Sequence, residues 1–324
     1  MKPTQPIHLG VVMDPIGSIK PAKDTTFAML LAAQARGWRI SYMEQADLYL
    51  ADGEPRARSR ILTVRDQSLD WFTLGEAEDG PLADLDLILM RKDPPFDMEY
   101  VATTYILERA AAAGAMVVNR PQSLRDANEK AFTAWFPQCC PPTLITRDKA
   151  RIRGFLRQQG KIVVKPLDGM GGAQVFVLAD GDPNTSVVLE TLAGDDVRIT
   201  VAQKYIPEIK DGDKRILIVD GEPVPYALAR VPAPGESRGN LAAGGKGIGV
   251  ELTERDRWIC AQVAPTLMEK GLLFVGLDVI GDWLTEINVT SPTCARELDK
   301  MYGLDITGDF LDTLSVRLAS ARGL

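Results

Sequence analysis

Late in the chain, Gly276-Leu-Asp278-Val-Ile-Gly-Asp-Trp-Leu-Thr-Glu286-Ile-Asn288-Val-Thr-Ser-Pro-Thr293 constrains the fold more than any other stretch. It reads as two apolar strands, 274–280 and 283–289, joined at Gly281-Asp282. Glu286 and Asn288 are two residues apart, so they share one face of a strand. An odd number of connecting residues would put Asp278 opposite Glu286 on that same face. Two carboxylates and an amide set into Val, Ile and Leu are costly to bury unless a cation neutralises them. Oxygen ligands without His or Cys suit Mg²⁺, which takes one or two carboxylates together with nucleotide phosphates. The alternative is an ordinary hairpin whose polar residues face solvent.

Composition removes several function classes. The 324 residues suit two or three modest domains, with 45% hydrophobic and 25% charged residues as in ordinary globular proteins. A net charge of −7 and a pI near 5.0 argue against nucleic acid as a main partner. Apolar runs fall short of the ~18 residues of a spanning helix, and the first ten residues lack the apolar core of a signal peptide. The expected setting is the cytoplasm, away from membranes. Cys139 and Cys140 are adjacent, and Cys260 and Cys294 stand apart, which is neither a metal spacing nor a disulfide framework.

His8 is the only histidine, and it falls in the first predicted strand. Ser-His, Cys-His and His-zinc chemistry all need a histidine set against other groups, so a structural role is expected here. Chemistry must then rest on carboxylates, cations and metal. Phosphoryl transfer needs little else, because it is mostly positioning and charge stabilisation.

The first ~125 residues alternate strand and helix, the pattern of a Rossmann-like parallel sheet in an α/β chain with α+β parts. The spacing predicts a strand at 7–13, a helix over 25–36 capped by Asp24 and stopped by Gly37, and a strand at 39–43. It then predicts a hairpin over 48–64 turned at Asp52-Gly53, and strands at 85–90 and 115–119. A dinucleotide-binding glycine fingerprint is missing after the first strand. Ligands of open sheets sit beyond the carboxyl ends of strands, where Asp14 and Arg91 fall. Arg91 can fork onto a substrate carboxylate, whereas Lys92 reads as a charged turn.

The second half opens with a predicted helix from about Arg125 through Phe136 and another over 148–159. Lys161–Val177 reads as strand, glycine-rich loop, strand. Glycines let backbone N–H groups cradle phosphate oxygens, and Lys165 inside an apolar strand calls for an anion. The Gly-Lys-Ser/Thr ending of a Walker loop is lacking. Gln203-Lys-Tyr-Ile206 passes from strand to linker and can offer backbone groups to an adenine edge. Arg215 and Arg230 stand at opposite ends of one hairpin and suit phosphate or carboxylate, with an ion pair to Asp211 or Asp213 as the structural alternative. Glycine-rich 231–250, carrying Arg238, Asn240 and Lys246, reads as a lid or a loose surface loop. Helices are predicted over 254–269, capped by Thr253, and 309–321.

In this order, Lys130, Lys165, the Gly169–Gly172 loop, Asp278 and Glu286-x-Asn288 resemble the ATP-grasp superfamily of carboxylate–amine ligases. The strings Leu89-Met-Arg-Lys-Asp-Pro-Pro-Phe-Asp97, Asn119-Arg-Pro-Gln-Ser-Leu-Arg-Asp126, Lys165-Pro-Leu-Asp-Gly-Met-Gly-Gly172, Arg238-Gly-Asn-Leu-Ala-Ala-Gly-Gly245 and Thr285-Glu-Ile-Asn-Val-Thr-Ser-Pro-Thr293 are similar to the bacterial glutathione synthetases within it. The resemblance runs from Ile7 to the last helix.

It implies an enzyme that uses ATP as co-substrate and Mg²⁺, or Mn²⁺, as cofactor to join γ-glutamylcysteine to glycine through an acyl phosphate. It implies a substrate-binding domain at 1–125, a lid subdomain at 126–207 and a catalytic subdomain at 208–324 with a flexible loop at 232–249. By resemblance, ATP is held by Lys130, Lys165, Gly169, Met170, Gly171, Gly172, Gln203, Lys204, Tyr205, Ile206 and Asp213, and the metal by Asp278, Glu286 and Asn288. Arg215, Arg230 and Lys165 take the catalytic roles, and Asp14, Arg91, Arg238, Asn240, Thr290 and Ser291 contact the peptide substrates. Relatives are homotetramers, so a homo-oligomer is expected. Another ATP-grasp ligase or a non-catalytic ATP-binding module are the rival readings.

Overall fold

Alternating apolar strands and capped helices build a mixed sheet from the first third of the chain. The structure, a computed structural model, describes residues 6–169, 171–235, 239 and 244–323. Its first elements are β1 (His8–Val12), α1 (Thr25–Ala35), β2 (Arg39–Met43), β3 (Leu48–Ala51), β4 (Glu54–Val64), β5 (Phe72–Pro81), β6 (Leu87–Met90), α2 (Met98–Ala112), β7 (Met116–Val118) and α3 (Pro121–Asp126). β1 lies parallel between β2 and β6, and β6 is parallel to β7, while β3, β4 and β5 add an antiparallel edge. Asp24 accepts from the Phe27 N–H at 2.6 Å, and Asp97 caps α2 in the same way.

β8 (Thr143–Thr146), α4 (Lys149–Gln159), β9 (Lys161–Pro166), β10 (Phe176–Ala179), α5 (Thr185–Ala193) and β11 (Thr200–Lys204) follow. Their strands form an antiparallel sheet in the order β10-β9-β11-β8 with a small apolar core of its own. A third sheet, also antiparallel, has the order β14-β13-β12-β15-β16. It is built from β12 (Asp213–Val219), β13 (Glu222–Val231), β14 (Lys246–Glu251), β15 (Phe274–Ile280) and β16 (Trp283–Asn288), with α6 (Glu254–Lys270) between β14 and β15. Helices α7 (Ala295–Tyr302) and α8 (Ile306–Ala321) close the chain. The first and third sheets share core: Leu298, Phe310, Leu311 and Leu314 pack with Phe27, Met29 and Leu30 of α1.

Three expectations are corrected. The helix expected through 125–136 is interrupted, because the Asn128 carboxamide accepts from the Lys130 and Ala131 N–H groups and turns the chain between α3 and a short 3-10 segment. Of the loop expected over 232–249, residues 246–249 belong to β14: Gly247 and Gly249 pair with Arg230 and Leu228, where side chains of Leu228 and Tyr302 take the room a Cβ would need. β5 and α7 were not anticipated, since Gly-Glu-Ala-Glu-Asp-Gly in β5 carries turn-like composition and only its pairing along β4 makes it a strand. Among the described residues no helix is long and apolar enough to cross a membrane.

Candidate active site

Strand register assembles the site. Ile280 pairs with Trp283 across a two-residue turn, an even count that by itself would set Asp278 against Thr285. A bulge after Val279–Leu284 shifts the ladder by one, and Asp278 pairs with Glu286 and Gly276 with Asn288. The ligand face expected from sequence thus forms through the bulge rather than the turn. On the adjoining strand Arg215 pairs directly with Asp278, and Asp213 pairs with Arg230 of β13. Directly opposed residues share a face, so one side of this sheet presents Asp213, Arg215, Arg230, Asp278, Glu286 and Asn288.

The arginines close on the carboxylates. Arg215 donates to both Asp278 oxygens at 2.6 and 3.2 Å, and Arg230 reaches Asp278 at 3.0 Å while also pairing with Asp213. Burial alone would raise the Asp278 carboxyl, but the two guanidinium charges override it and hold it well below the usual carboxylate range. Asp213 goes the other way. Its burial outweighs Arg230, and the charges of Asp278 and Glu286 add to the rise, to about 7. Asp213 Oδ1 is buried without a hydrogen-bond partner among the described residues.

A second cluster spans the gap to the middle sheet. Lys165 of β9 lies 2.9 Å from Glu286, and Lys130 pairs with Glu129, stands 4.0 Å from Glu286 and donates to the Gly169 carbonyl at 2.7 Å. The Glu129 carbonyl accepts from the Ile287 N–H, which fastens this segment beside β16. Burial, then the Glu286 charge, push the Glu129 carboxyl up, while Lys165 and Lys130 overcome burial to lower Glu286. Four basic and four acidic side chains therefore meet in one largely enclosed group. A polyphosphate with its metal ions can exchange into it, the phosphates taking the cations and the metal the carboxylates.

Between the two sheets lies a cavity of about 340 Å³. Its lining includes Lys130, Lys165, Gly169, Gly171, Gly172, Gln203, Lys204, Tyr205, Ile206, Asp213, Arg215, Arg230, Asp278, Glu286, Asn288, Thr290 and Ser291. Val163, Val177 and Ile209 give it an apolar end beside Gln203–Ile206, and the N–H groups of Lys204 and Tyr205 anchor that segment to Pro142 and Lys161. A more open depression of about 990 Å³ between α1, 66–71 and 296–307 also carries charged side chains, among them Lys20, Asp66, Asp299 and Lys300, but its ion pairs, Arg36 with Asp312 and Arg296 with Asp66, have exposed carboxylates.

Two expected substrate contacts lie one layer behind the lining. Asp14 ion-pairs with Lys92 at 2.9 Å and accepts from the Asp93 N–H, while Asp93 itself faces the cavity. Arg91 is buried over the Phe274 ring, donating to Thr26 Oγ1 and to the Pro292 carbonyl at 2.9 Å. Burial lowers its guanidinium to about 10, and the nearby Asp93 and Asp24 charges restore only part of that. Met170, Arg238 and Asn240 lie outside the described residues. Glu129, Asp93, Thr285 and Cys294 line the cavity and were not anticipated. A helical reading of 125–136 hid Glu129, since adjacent residues on a helix point to different sides.

No three His, Cys, Asp or Glu side chains among the described residues converge to hold an ion on their own. The donor set is two carboxylates and an amide, which suits a divalent ion whose remaining ligands come from phosphate and water. Gly276 shows how tightly this corner is packed: a Cβ there would sit 2.9 Å from Arg215 Cδ and 2.9 Å from Pro292 Cβ. Gly276→Ala is therefore expected to displace Arg215 and lower kcat by about 10-fold or more, since ångström-scale misplacement is costly. Steady-state kinetics check it; an unchanged kcat would show that the guanidinium position is not critical.

This architecture, a glycine-rich loop on one antiparallel sheet facing carboxylates and arginines on another, defines an ATP-grasp fold. Two solved structures share it across almost the whole chain: a D-cycloserine synthetase (TM-score 0.67, 14% identity, 96% of this chain and 99% of that one) and a RiPP-associated ATP-grasp ligase of Chryseobacterium gregarium (TM-score 0.64, 14% identity, 96% and 97%). The family profile "Prokaryotic glutathione synthetase, N-terminal domain" matches residues 7–125, and "Prokaryotic glutathione synthetase, ATP-grasp domain" matches 129–303. The chain belongs to the prokaryotic glutathione synthetase family. It is 62% identical over 312 residues to the glutathione synthetase of Pseudomonas putida (96% of this chain, 98% of that protein) and 58% identical over 312 residues to that of Escherichia coli K12 (96% and 99%).

Proposed function

We propose that these four basic and four acidic side chains are the machinery of the ligation, a reading carried by the direct pairing of Arg215 with Asp278 beside Glu286. The chain is an ATP-dependent ligase that joins γ-glutamylcysteine to glycine and yields glutathione, ADP and phosphate. It works with a divalent metal. We assign Mg²⁺, with Mn²⁺ as a substitute, to Asp278, Glu286 and Asn288. When bound, the metal supplies charge neutralisation at the phosphate oxygens.

The adenine is placed in the apolar end beside Gln203, Lys204, Tyr205 and Ile206. Lys130 and Lys165 neutralise the phosphates under the Gly169–Gly172 loop, and Asp213 steadies the site through Arg230. The C-terminal carboxylate of γ-glutamylcysteine attacks the γ-phosphorus and ADP leaves, giving the acyl phosphate. The glycine amine then attacks the carbonyl carbon, loses a proton, and phosphate departs. Arg215 and Arg230 stand where negative charge develops in both steps, already oriented by Asp278, so little reorganisation is needed. Thr290 and Ser291, with Arg238 and Asn240, are assigned to the peptide substrates, supported from behind by Asp14 and Arg91.

In this scheme residues 1–125 form the substrate-binding domain, 126–207 cover the nucleotide and 208–324 carry the catalytic sheet. We also place the enzyme in the cytoplasm as a homotetramer, on family resemblance. The experiment is phosphate release by the purified protein with ATP and metal. Release that requires both γ-glutamylcysteine and glycine is expected, and release indifferent to either substrate would overturn the reading. Parallel assays in Mg²⁺ and Mn²⁺ decide the metal preference.

A further inference from the structure

Asn119 stands at the end of β7, outside the cavity lining, yet it is almost wholly buried at 4% exposure. Its carboxamide oxygen accepts from the N–H of Leu273 at 2.7 Å and of Phe274 at 3.1 Å. Its nitrogen donates to the carbonyls of Phe274 at 3.0 Å and Val289 at 2.7 Å. Two donors and two acceptor lone pairs are the full capacity of an Asn side chain, and all four bonds go to backbone at the start of β15 or just beyond the end of β16. One residue thus ties the last parallel strand of the first sheet to both strands of the hairpin that carries Asp278, Glu286 and Asn288. Val289 directly follows Asn288 and begins the turn whose Thr290, Ser291, Pro292 and Thr293 line the cavity. The side chain fixes where that turn hangs relative to β15 without touching the cavity.

We infer that Asn119 is a positioning residue for peptide-substrate binding, acting through the Val289 carbonyl on the 290–293 turn. The inference rests on the reading of that turn as the γ-glutamylcysteine contact. The chemistry selects Asn: Asp keeps the two acceptor bonds but cannot donate to Val289, and Ala leaves buried backbone groups without their partner. Arg91 on Pro292 and Thr25 Oγ1 accepting from the Ala295 N–H hold the same segment further along. Freed at Val289, the turn would pivot on those remaining ties.

Asn119→Asp and Asn119→Ala in the full-length enzyme test this. kcat/KM for γ-glutamylcysteine is expected to fall about 10- to 100-fold, the scale of an ångström-sized misplacement, while the dissociation constant for ADP with metal stays unchanged. Equal losses in both quantities would overturn the inference in favour of general loosening. So would a lowered melting temperature with unchanged kinetic constants, which is what a merely structural role predicts. If Asn119→Ala does not fold, Asn119→Ser, which keeps a small polar group but cannot span all four bonds, gives the same readout; Asn119→Asp is the harsher change, since it sets a carboxylate oxygen against the Phe274 and Val289 carbonyls. Ser291→Ala, on the turn itself, run alongside separates the two levels: if it raises KM for γ-glutamylcysteine while Asn119→Ser behaves as wild type, only the role of Asn119 is lost, and if neither moves that KM the reading of the turn is lost too.

Discussion

Glu286→Gln is expected to cut metal-dependent turnover by about 10²-fold or more while the protein still folds. The substitution keeps size and shape but removes one of the two carboxylates on the ligand face, opposite Asp278. It also removes the partner that Lys165 holds at 2.9 Å. That loss costs some stability, but the Glu286 side chain is 21% exposed, so the cost should fall below the roughly 3 kcal/mol typical when one partner of a fully buried pair is removed. Steady-state kinetics across metal concentrations, paired with a thermal melt, separate the effects. Near-normal kcat at saturating metal would withdraw the metal assignment.

Arg215→Ala is expected to lower kcat by about 10³-fold, the scale seen when a preorganised cation at a transferring phosphoryl group is removed. ATP affinity should change far less, because Lys130 and Lys165 lie on the opposite side of the cleft from Arg215. Asp278 would keep Arg230 at 3.0 Å, so its carboxylate is not left unpaired. A variant that alters only KM would reassign Arg215 to ground-state binding. The Arg215/Arg230 double variant should lose less than the sum of the two single losses, since both act through Asp278.

The apolar periodicity of β1, β2 and β6, the Asp24 cap on α1 and the Asp52-Gly53 turn are all local signals, and each element lies where such signals place it. β5 lacks that local signature and becomes a strand through its pairing along β4, whereas α7 carries local helix signals and is stopped by Gly303 in the left-handed region. Asp213 illustrates the same boundary at the site. Ion pairing with Arg230 was an open alternative from sequence, and strand register, which a chain cannot reveal one residue at a time, made it a contact.

Residue chemistry alone pointed to lysines, arginines and hard oxygen groups as the chain's chemical equipment, because a single histidine and scattered cysteines leave few other means. It also determined the two strands β15 and β16 and the glycine-rich connection between β9 and β10, whose patterns are short-range. Tertiary structure alone decided that a bulge at Thr285 brings Glu286 across from Asp278, that Glu129 joins the charge cluster and that Arg91 and Asp14 stand behind the cavity rather than in it. The physical reason is range. Side-chain periodicity acts over a few residues, whereas register and bulges depend on how whole strands pair, and the cross-sheet ion pairs on packing between distant segments, 121 positions apart for Lys165 and Glu286.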